Sequence, residues 1–379
     1  MSVGRAPSPT APKTTKQQQE IVDCDVHNYL TSPRALDQYL PPRWRAYYQR
    51  FGLRMPTANT FVATRPRRQA ARSDAFPPSG LPAGSDLNFL REQLLDRWGI
   101  NHAILNPIEL IVMGGEPTQF SGALTAALND FTLAEWLEPE PRLFGAICLP
   151  DDGALAAVEI DRLADNPRFV QGLLNTRTRV GLGNQRYWKI YSAAVEHRLP
   201  LAIHVGGLGG NAITGAGFPS YYFEDRSGNT QSIQAQLISM VFEGVFEEFP
   251  TLKIVCMEGG FAWVPSLMWT MDNSWKRLRE EVPHLRRAPS DYIREHFWFT
   301  TQPIEEPEHP PQFREVLDQL QMNDHLLFAT DYPHWDFDAP DSSIPASLPA
   351  AWREAIFSVN ALGLYKFGRD KRSASGRPD

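Results

Sequence analysis

Cysteine is scarce in this chain. The three present, Cys24, Cys148 and Cys256, lie far apart in apolar runs with no CxxC spacing. That pattern argues against a disulfide framework and fits a reduced, cytoplasmic setting. Long apolar runs are missing too: none approaches the roughly 18 residues a membrane span needs. Nor is there a cationic excess. The 37 basic residues are outnumbered by 44 acidic ones, a net charge of −7, so no field draws the chain to nucleic acid. Phosphate-cradle motifs are absent. Gly206-Gly207-Leu208-Gly209-Gly210 has the glycines of one but neither the GxGxxG spacing nor an immediate helix, and it reads as a flexible loop. The basic run Arg65-Pro66-Arg67-Arg68 reads as a solvated face. Residues 1–19, rich in Ser, Pro, Thr, Lys and Gln, lack the apolar core of a signal peptide and are expected to form a disordered leader. A disordered tail is expected over 367–379.

What is present is a rhythm. Short apolar, β-branched stretches begin at Ile21, His102, Leu143, Phe169, Leu201, Leu252, His296 and Leu326, and a helical pattern follows each. The helices are expected over 87–98, 119–138, 154–165, 184–197, 233–248, 261–281, 311–321 and 347–361. Eight alternating βα units predict a single (β/α)8 barrel domain over 20–366, with an open doubly wound sheet as the alternative. Residues 28–85, rich in Pro and Arg, form a long insertion after the first strand and are expected to be irregular, a lid or a subunit-contact arm. Its aromatic cluster (Trp44, Tyr47, Tyr48, Phe51) and the tryptophans of the sixth helix (Trp263, Trp269, Trp275) offer more apolar surface than one barrel should leave in water. A homodimer or larger homo-oligomer is therefore expected.

Barrel chemistry sits at the C-terminal strand ends. The first strand ends in Asp25-Val26-His27, and residues two apart on a strand share a face. The fifth ends in His204, the sixth in Glu258-Gly259-Gly260, and the eighth in Asp331-Tyr332-Pro333-His334. A mouth that gathers these acids and imidazoles can bind one divalent ion with room for a ligand. Each residue also has a plainer reading. Asp25 could hold the Nδ1–H of a structural His27, and His204 could be a hydrogen-bonded core histidine. Asp331 could cap a turn, Glu258 could bind loop amides, and His334 could be a surface residue. No lysine ends the fourth strand at Leu173-Leu174-Asn175, so one metal is simpler than two.

With these residues assembled, the chain resembles the amidohydrolase superfamily. It is most similar to the branch that includes aminocarboxymuconate-semialdehyde decarboxylase and the resorcylate-type decarboxylases. The resemblance spans residues 20–365 and is carried by four motifs. They are Asp25-x-His27, Pro200-Leu-Ala-Ile-His204, Phe249-Pro-x-Leu252-Lys-Ile with Glu258-Gly-Gly, and Ala329-Thr-Asp331-Tyr-Pro-His334. It implies a metal, zinc ahead of manganese, held by Asp25, His27, His204 and Asp331. Two departures stand out. The branch often has His-x-His or Glu-x-His where this chain has Asp25-x-His27, and it usually has a histidine where this chain has Glu258.

The expectation that follows is a metal-dependent hydrolase in which Asp331 and Glu258 move protons and the substrate is a small amide, ester or lactone-like molecule. The alternative is a non-oxidative decarboxylase of an aromatic or muconate-type acid, with Asp331 protonating the ring carbon. That reading needs cations at the mouth, for which Arg177 and Arg179 are candidates. Gln302, ending the seventh strand, could donate a hydrogen bond to substrate, and His334 could touch it. A third reading is a metal-free barrel without catalysis.

Overall fold

The structure is a computed structural model. It describes residues 19–53, 70–107, 116–207, 214–215, 217 and 219–368. The leader, the Arg65–Arg68 run, Leu208 to Gly210 and nearly all of the tail lie outside the described residues.

Eight parallel strands form one sheet in chain order. They are β1 (Val22–Val26), β2 (His102–Leu105), β3 (Leu143–Cys148), β4 (Phe169–Arg177), β5 (Leu201–Gly207), β6 (Ile254–Met257), β7 (Phe297–Thr300) and β8 (Leu326–Leu327). Val, Ile, Leu and Phe fill them because a parallel barrel is covered on both faces, by its own interior and by the helical ring. β1, β3, β6 and β7 are buried at every position. The three cysteines are free and buried within these strands. The chain forms a (β/α)8 barrel, as its rhythm predicts.

Closure between β8 and β1 shapes the active end. β8 proper has only two residues, so the segment beyond it completes the seam. Cys24 N donates to Phe328 O (2.9 Å), Asp331 N to Asp25 O (3.0 Å) and His27 N to Tyr332 O (2.7 Å). These bonds set Asp331 directly beside Asp25 and His27, although the chain between them is the whole barrel.

Two segments differ from the sequence expectation. The connection after β1 is not irregular throughout: it holds a 3-10 turn at Pro33–Leu36 and a helix at Pro42–Phe51. Pro42 opens that helix at a position where a missing N–H is harmless. Trp44, Tyr47 and Tyr48 then pack on Phe120 of the helix after β2, at ring separations of 5.5, 4.8 and 6.4 Å. These three aromatics are thus met within the chain, whereas Phe51 and Trp269 stay exposed. The helix after β5 spans Tyr222–Phe242, starting about three turns ahead of the expected start at 233. Its first turns are polar and aromatic, so apolar periodicity does not mark them. Among the described residues, no helix is long and apolar enough to cross a membrane.

Candidate active site

His27, at the end of β1, is fully buried. Its Nδ1 lies 2.7 Å from the carbonyl oxygen of Asn106, which follows β2, so Nδ1 carries the proton and Nε2 faces the barrel mouth. Asp25 therefore does not hold the Nδ1–H of His27. Its Oδ1 instead accepts from the Asn106 amide (3.1 Å) and lies 3.5 Å from His27 Nε2. Asn106 is in turn held by Gln171 (2.8 Å) and Gln171 by the Tyr365 hydroxyl (2.7 Å), a buried chain beneath the mouth. Such outer partners fix the tautomer and direction of a liganding imidazole.

His204 on β5 is arranged the same way. Its Nδ1 donates to the Val205 carbonyl (2.7 Å). Its Nε2 points to Asp25 Oδ2 and Glu258 Oε2, each at 3.5 Å. Burial works to lower its pKa, but the Asp25 and Glu258 carboxylates outweigh that and lift it to about 9. His27 is raised in the same way: burial opposes, while Asp25 and Asp331 prevail.

Asp331 adopts a left-handed backbone (φ 58°), which aspartate tolerates better than most residues. Its side chain does not cap a turn. Oδ1 lies 2.8 Å from His27 Nε2 and accepts from His334 Nδ1 (2.6 Å). Burial pushes this carboxyl up, yet the two imidazoles hold it well below the usual carboxylate range. Thr330, just before it, is pinned by Asp23, whose Oδ1 accepts from Thr330 N (2.9 Å) and Oδ2 from its hydroxyl (2.5 Å).

Glu258 follows β6, also with positive φ (57°). Burial, then the charge of Asp331, raises its pKa to about 7 against the pull of Arg226, His204 and His334. Among the described residues, no loop amide donates to it. Binding of the loop amides falls to Glu305, which accepts from Phe261 N and Ala262 N at 3.0 to 3.1 Å. Gly260 makes room for it: a Cβ there would sit 2.4 Å from Glu305 Oε1, at a φ of +64°.

The remaining candidates divide. His334 is buried, not a surface residue; beyond Asp331 it meets the Tyr29 hydroxyl at 2.9 Å, and its ring lies 4.7 Å from that of His27. Gln302 is fully buried, and its Nε2 donates to the Asp336 carbonyl (3.2 Å), leaving Oε1 without a partner. It presents an acceptor rather than the expected donor. Arg177 is paired with Asp225 (2.7 Å) and Arg179 lies 3.4 Å from Asp151. The cation beside the acids is Arg226, which sequence reasoning missed. It lies on a helix, outside every strand end, and nothing in its local pattern marks it. Asp23 and Asn106 were legible in principle, one sharing the face of Asp25 and the other terminating the second strand.

Besides Gln302 Oε1, three side-chain atoms at the mouth are buried and have no hydrogen-bond partner among the described residues: Asp25 Oδ2, His204 Nε2 and Asp331 Oδ2. Orphaned atoms of this kind are costly unless something binds them. Two carboxylate oxygens and imidazole nitrogens, closely grouped, suit a divalent cation, and Asp25, His27 and His204 lie within ligating distance of one another. The residues present fit a metal.

A family model described as amidohydrolase matches residues 22–367. None of the curated proteins compared matches the chain. Solved structures do. A dihydroxybenzoic acid decarboxylase from Polaromonas sp. JS666, with bound manganese and the inhibitor 2-nitroresorcinol, is 21% identical, with 93% of this chain and 98% of that one covered and a TM-score of 0.63. A 5-carboxyvanillate decarboxylase from Sphingomonas paucimobilis is 19% identical, with coverage of 92% and 99% and a TM-score of 0.66. An amidohydrolase from Mycobacterium avium subsp. paratuberculosis is 18% identical, with coverage of 91% and 98% and a TM-score of 0.70. At such identities the likeness is one of fold.

Proposed function

The chain belongs to the amidohydrolase family and is an enzyme; from that premise we propose that it is a metal-dependent carboxy-lyase acting on an aromatic hydroxy acid. The observation that carries the metal reading is the pair of buried, unpartnered donor atoms Asp25 Oδ2 and His204 Nε2, 3.5 Å apart and grouped with His27. Asp25, His27, His204 and Asp331 are the proposed ligands. Their mixed oxygen and nitrogen set suits zinc and manganese alike. The order of activities given by the sequence is reversed here, because two of the similar folds are decarboxylases of benzoate-type acids.

A divalent ion at this place supplies Lewis acidity toward the oxygens of a substrate. The protein's own groups do the rest. Decarboxylation breaks the bond between ring carbon and carboxylate; the electron pair stays on the ring carbon, which takes up a proton as carbon dioxide leaves. Asp331 Oδ1 is the proposed site of proton delivery. It is fed by His334 through a 2.6 Å hydrogen bond, and His334 in turn reaches Tyr29 at 2.9 Å. Gln302 Oε1 can accept from a substrate hydroxyl, and burial of the whole group excludes bulk water.

Hydrolysis of a small amide, ester or lactone-like bond is the second reading. Glu258 favours it: an acid 3.5 Å from His204 suits the activation of water better than the binding of a carboxylate. Dihydroxybenzoates and carboxyvanillate-type acids incubated with the metal-loaded enzyme should release carbon dioxide. No release, together with turnover of esters or amides, would move the protein to the hydrolases. Failure of a chelator to remove an ion, with none found by elemental analysis, would remove both readings.

A further inference from the structure

The acids of the mouth fall into two groups that share Asp331's neighbourhood. Asp25 stands with His27 and His204; Glu258, Asp331 and Asp336 form a second group in which one carboxylate oxygen from each lies within 4.8 Å of the others. Three carboxylates so close together and so little exposed call for a cation among them. This second group has the composition of a site for a hard divalent ion, and Asp331 Oδ2 is buried without a hydrogen-bond partner. Two-metal centres of about 3.5–4 Å spacing are built from bridging acids.

A cation already stands there. Arg226, on the helix Tyr222–Phe242, brings Nε within 2.9 Å of Asp336 Oδ2, and its Nη2 contacts the same oxygen. Its Nη1 lies 3.9 Å from Glu258 Oε1. The side chains of Arg226 and Asp336 are each only 16% exposed, so this is an inward-facing pair rather than a surface one. A guanidinium keeps its charge at every ordinary pH, and its planar fork is fixed by carboxylates on two sides.

We propose that Arg226 is the resident second cation of this centre: its guanidinium takes the place that a second divalent ion would occupy among Glu258, Asp331 and Asp336, and so limits the enzyme to one exchangeable metal. The inference rests on the metal reading above and gives it a stoichiometry. It also explains how a chain with Glu258 in place of the usual histidine can carry the additional negative charge. The glutamate is balanced by an arginine on a neighbouring helix, not by a metal, and its carboxyl stays free for substrate or proton.

The test is metal stoichiometry. Chelator-treated protein is titrated with Mn2+, bound equivalents are counted by calorimetry and elemental analysis, and spin coupling is read by electron paramagnetic resonance. The native chain should saturate at one equivalent with the spectrum of an isolated ion. Arg226→Met should take two, the second coupled to the first. Arg226→Lys, which keeps the charge, should take one. Arg226→Met with Asp336→Asn should return to one, since a donor is lost. Binding of one equivalent by Arg226→Met itself reports a folded site; should that variant fail to fold, Arg226→Gln puts the same question. One equivalent in every charge-removed variant, or two in the native chain, would overturn the proposal. No equivalent in the native chain would instead overturn the metal reading beneath it.

Discussion

His27 and Asp331, separated by 304 positions in the chain, meet with His27 Nε2 2.8 Å from Asp331 Oδ1, both side chains fully buried. The contact exists because the segment after β8 closes onto β1 by backbone hydrogen bonds. It makes the mouth a single electrostatic unit in which acids raise imidazoles and imidazoles lower Asp331.

Removal of a proposed ligand should empty the site. His204→Ala and Asp331→Asn should each weaken metal binding by more than the ~10–100-fold typical of lost outer-shell partners. Metal content after dialysis, read beside activity, checks this. Retention of a full equivalent by both variants would separate the metal from these residues.

The metal-free protein should lose stability as pH rises. His204 has its pKa raised from 6.5 to about 9, so its stabilising contribution is complete below 6.5 and lost as pH climbs through 9. Glu258, raised from 4.5 to about 7, acts with the same sign over the lower window. Melting temperatures of chelated protein should therefore fall from pH 5 to pH 9 by this contribution. Metal binding should release protons and strengthen with pH across the same range, because an imidazole must be deprotonated to ligate. Calorimetry in buffers of different ionisation enthalpy measures that release.

Asp23 should matter without touching substrate. Asp23→Ala leaves the Thr330 amide and hydroxyl without their buried acceptor, at about 1–3 kcal/mol for each orphaned group. Asp23→Asn keeps an acceptor for the amide and should cost less. Denaturant unfolding of both variants tests the order. Asp23→Ala should also weaken metal binding, by displacing the strained turn that aims Asp331.

Arg177 should prove structural. Its ion pair with Asp225, both side chains mostly buried, ties the end of β4 to the helix after β5. Arg177→Gln and Asp225→Asn should lower stability by similar, non-additive amounts and leave KM within a few-fold of native. A KM raised more than about tenfold, or about 1.4 kcal/mol, for Arg177→Gln alone would restore it as a substrate contact.

Short continuous apolar runs alternating with helical patterning made the barrel legible, since buried parallel strands must be apolar at nearly every position. The polar residues interrupting strand ends at Asp25, His27, His204, Glu258 and Asp331 were legible for the same reason: charge at the end of an apolar strand has no packing role. The helix Pro42–Phe51 was hidden because its apolar face is aromatic and short, and it is stabilised by Phe120 rather than by its own pattern.

The sequence alone determined the barrel and which side chains stand at its open end, because local periodicity decides both. Tertiary structure decided how those groups are paired. That the Asn106 carbonyl rather than Asp25 accepts from His27 Nδ1–H, that His334 joins Asp331, and that Arg226 answers Glu258 and Asp336 all depend on distances across strands and helices. Electrostatic partnership is set by separation in space, and no local pattern in a chain encodes it.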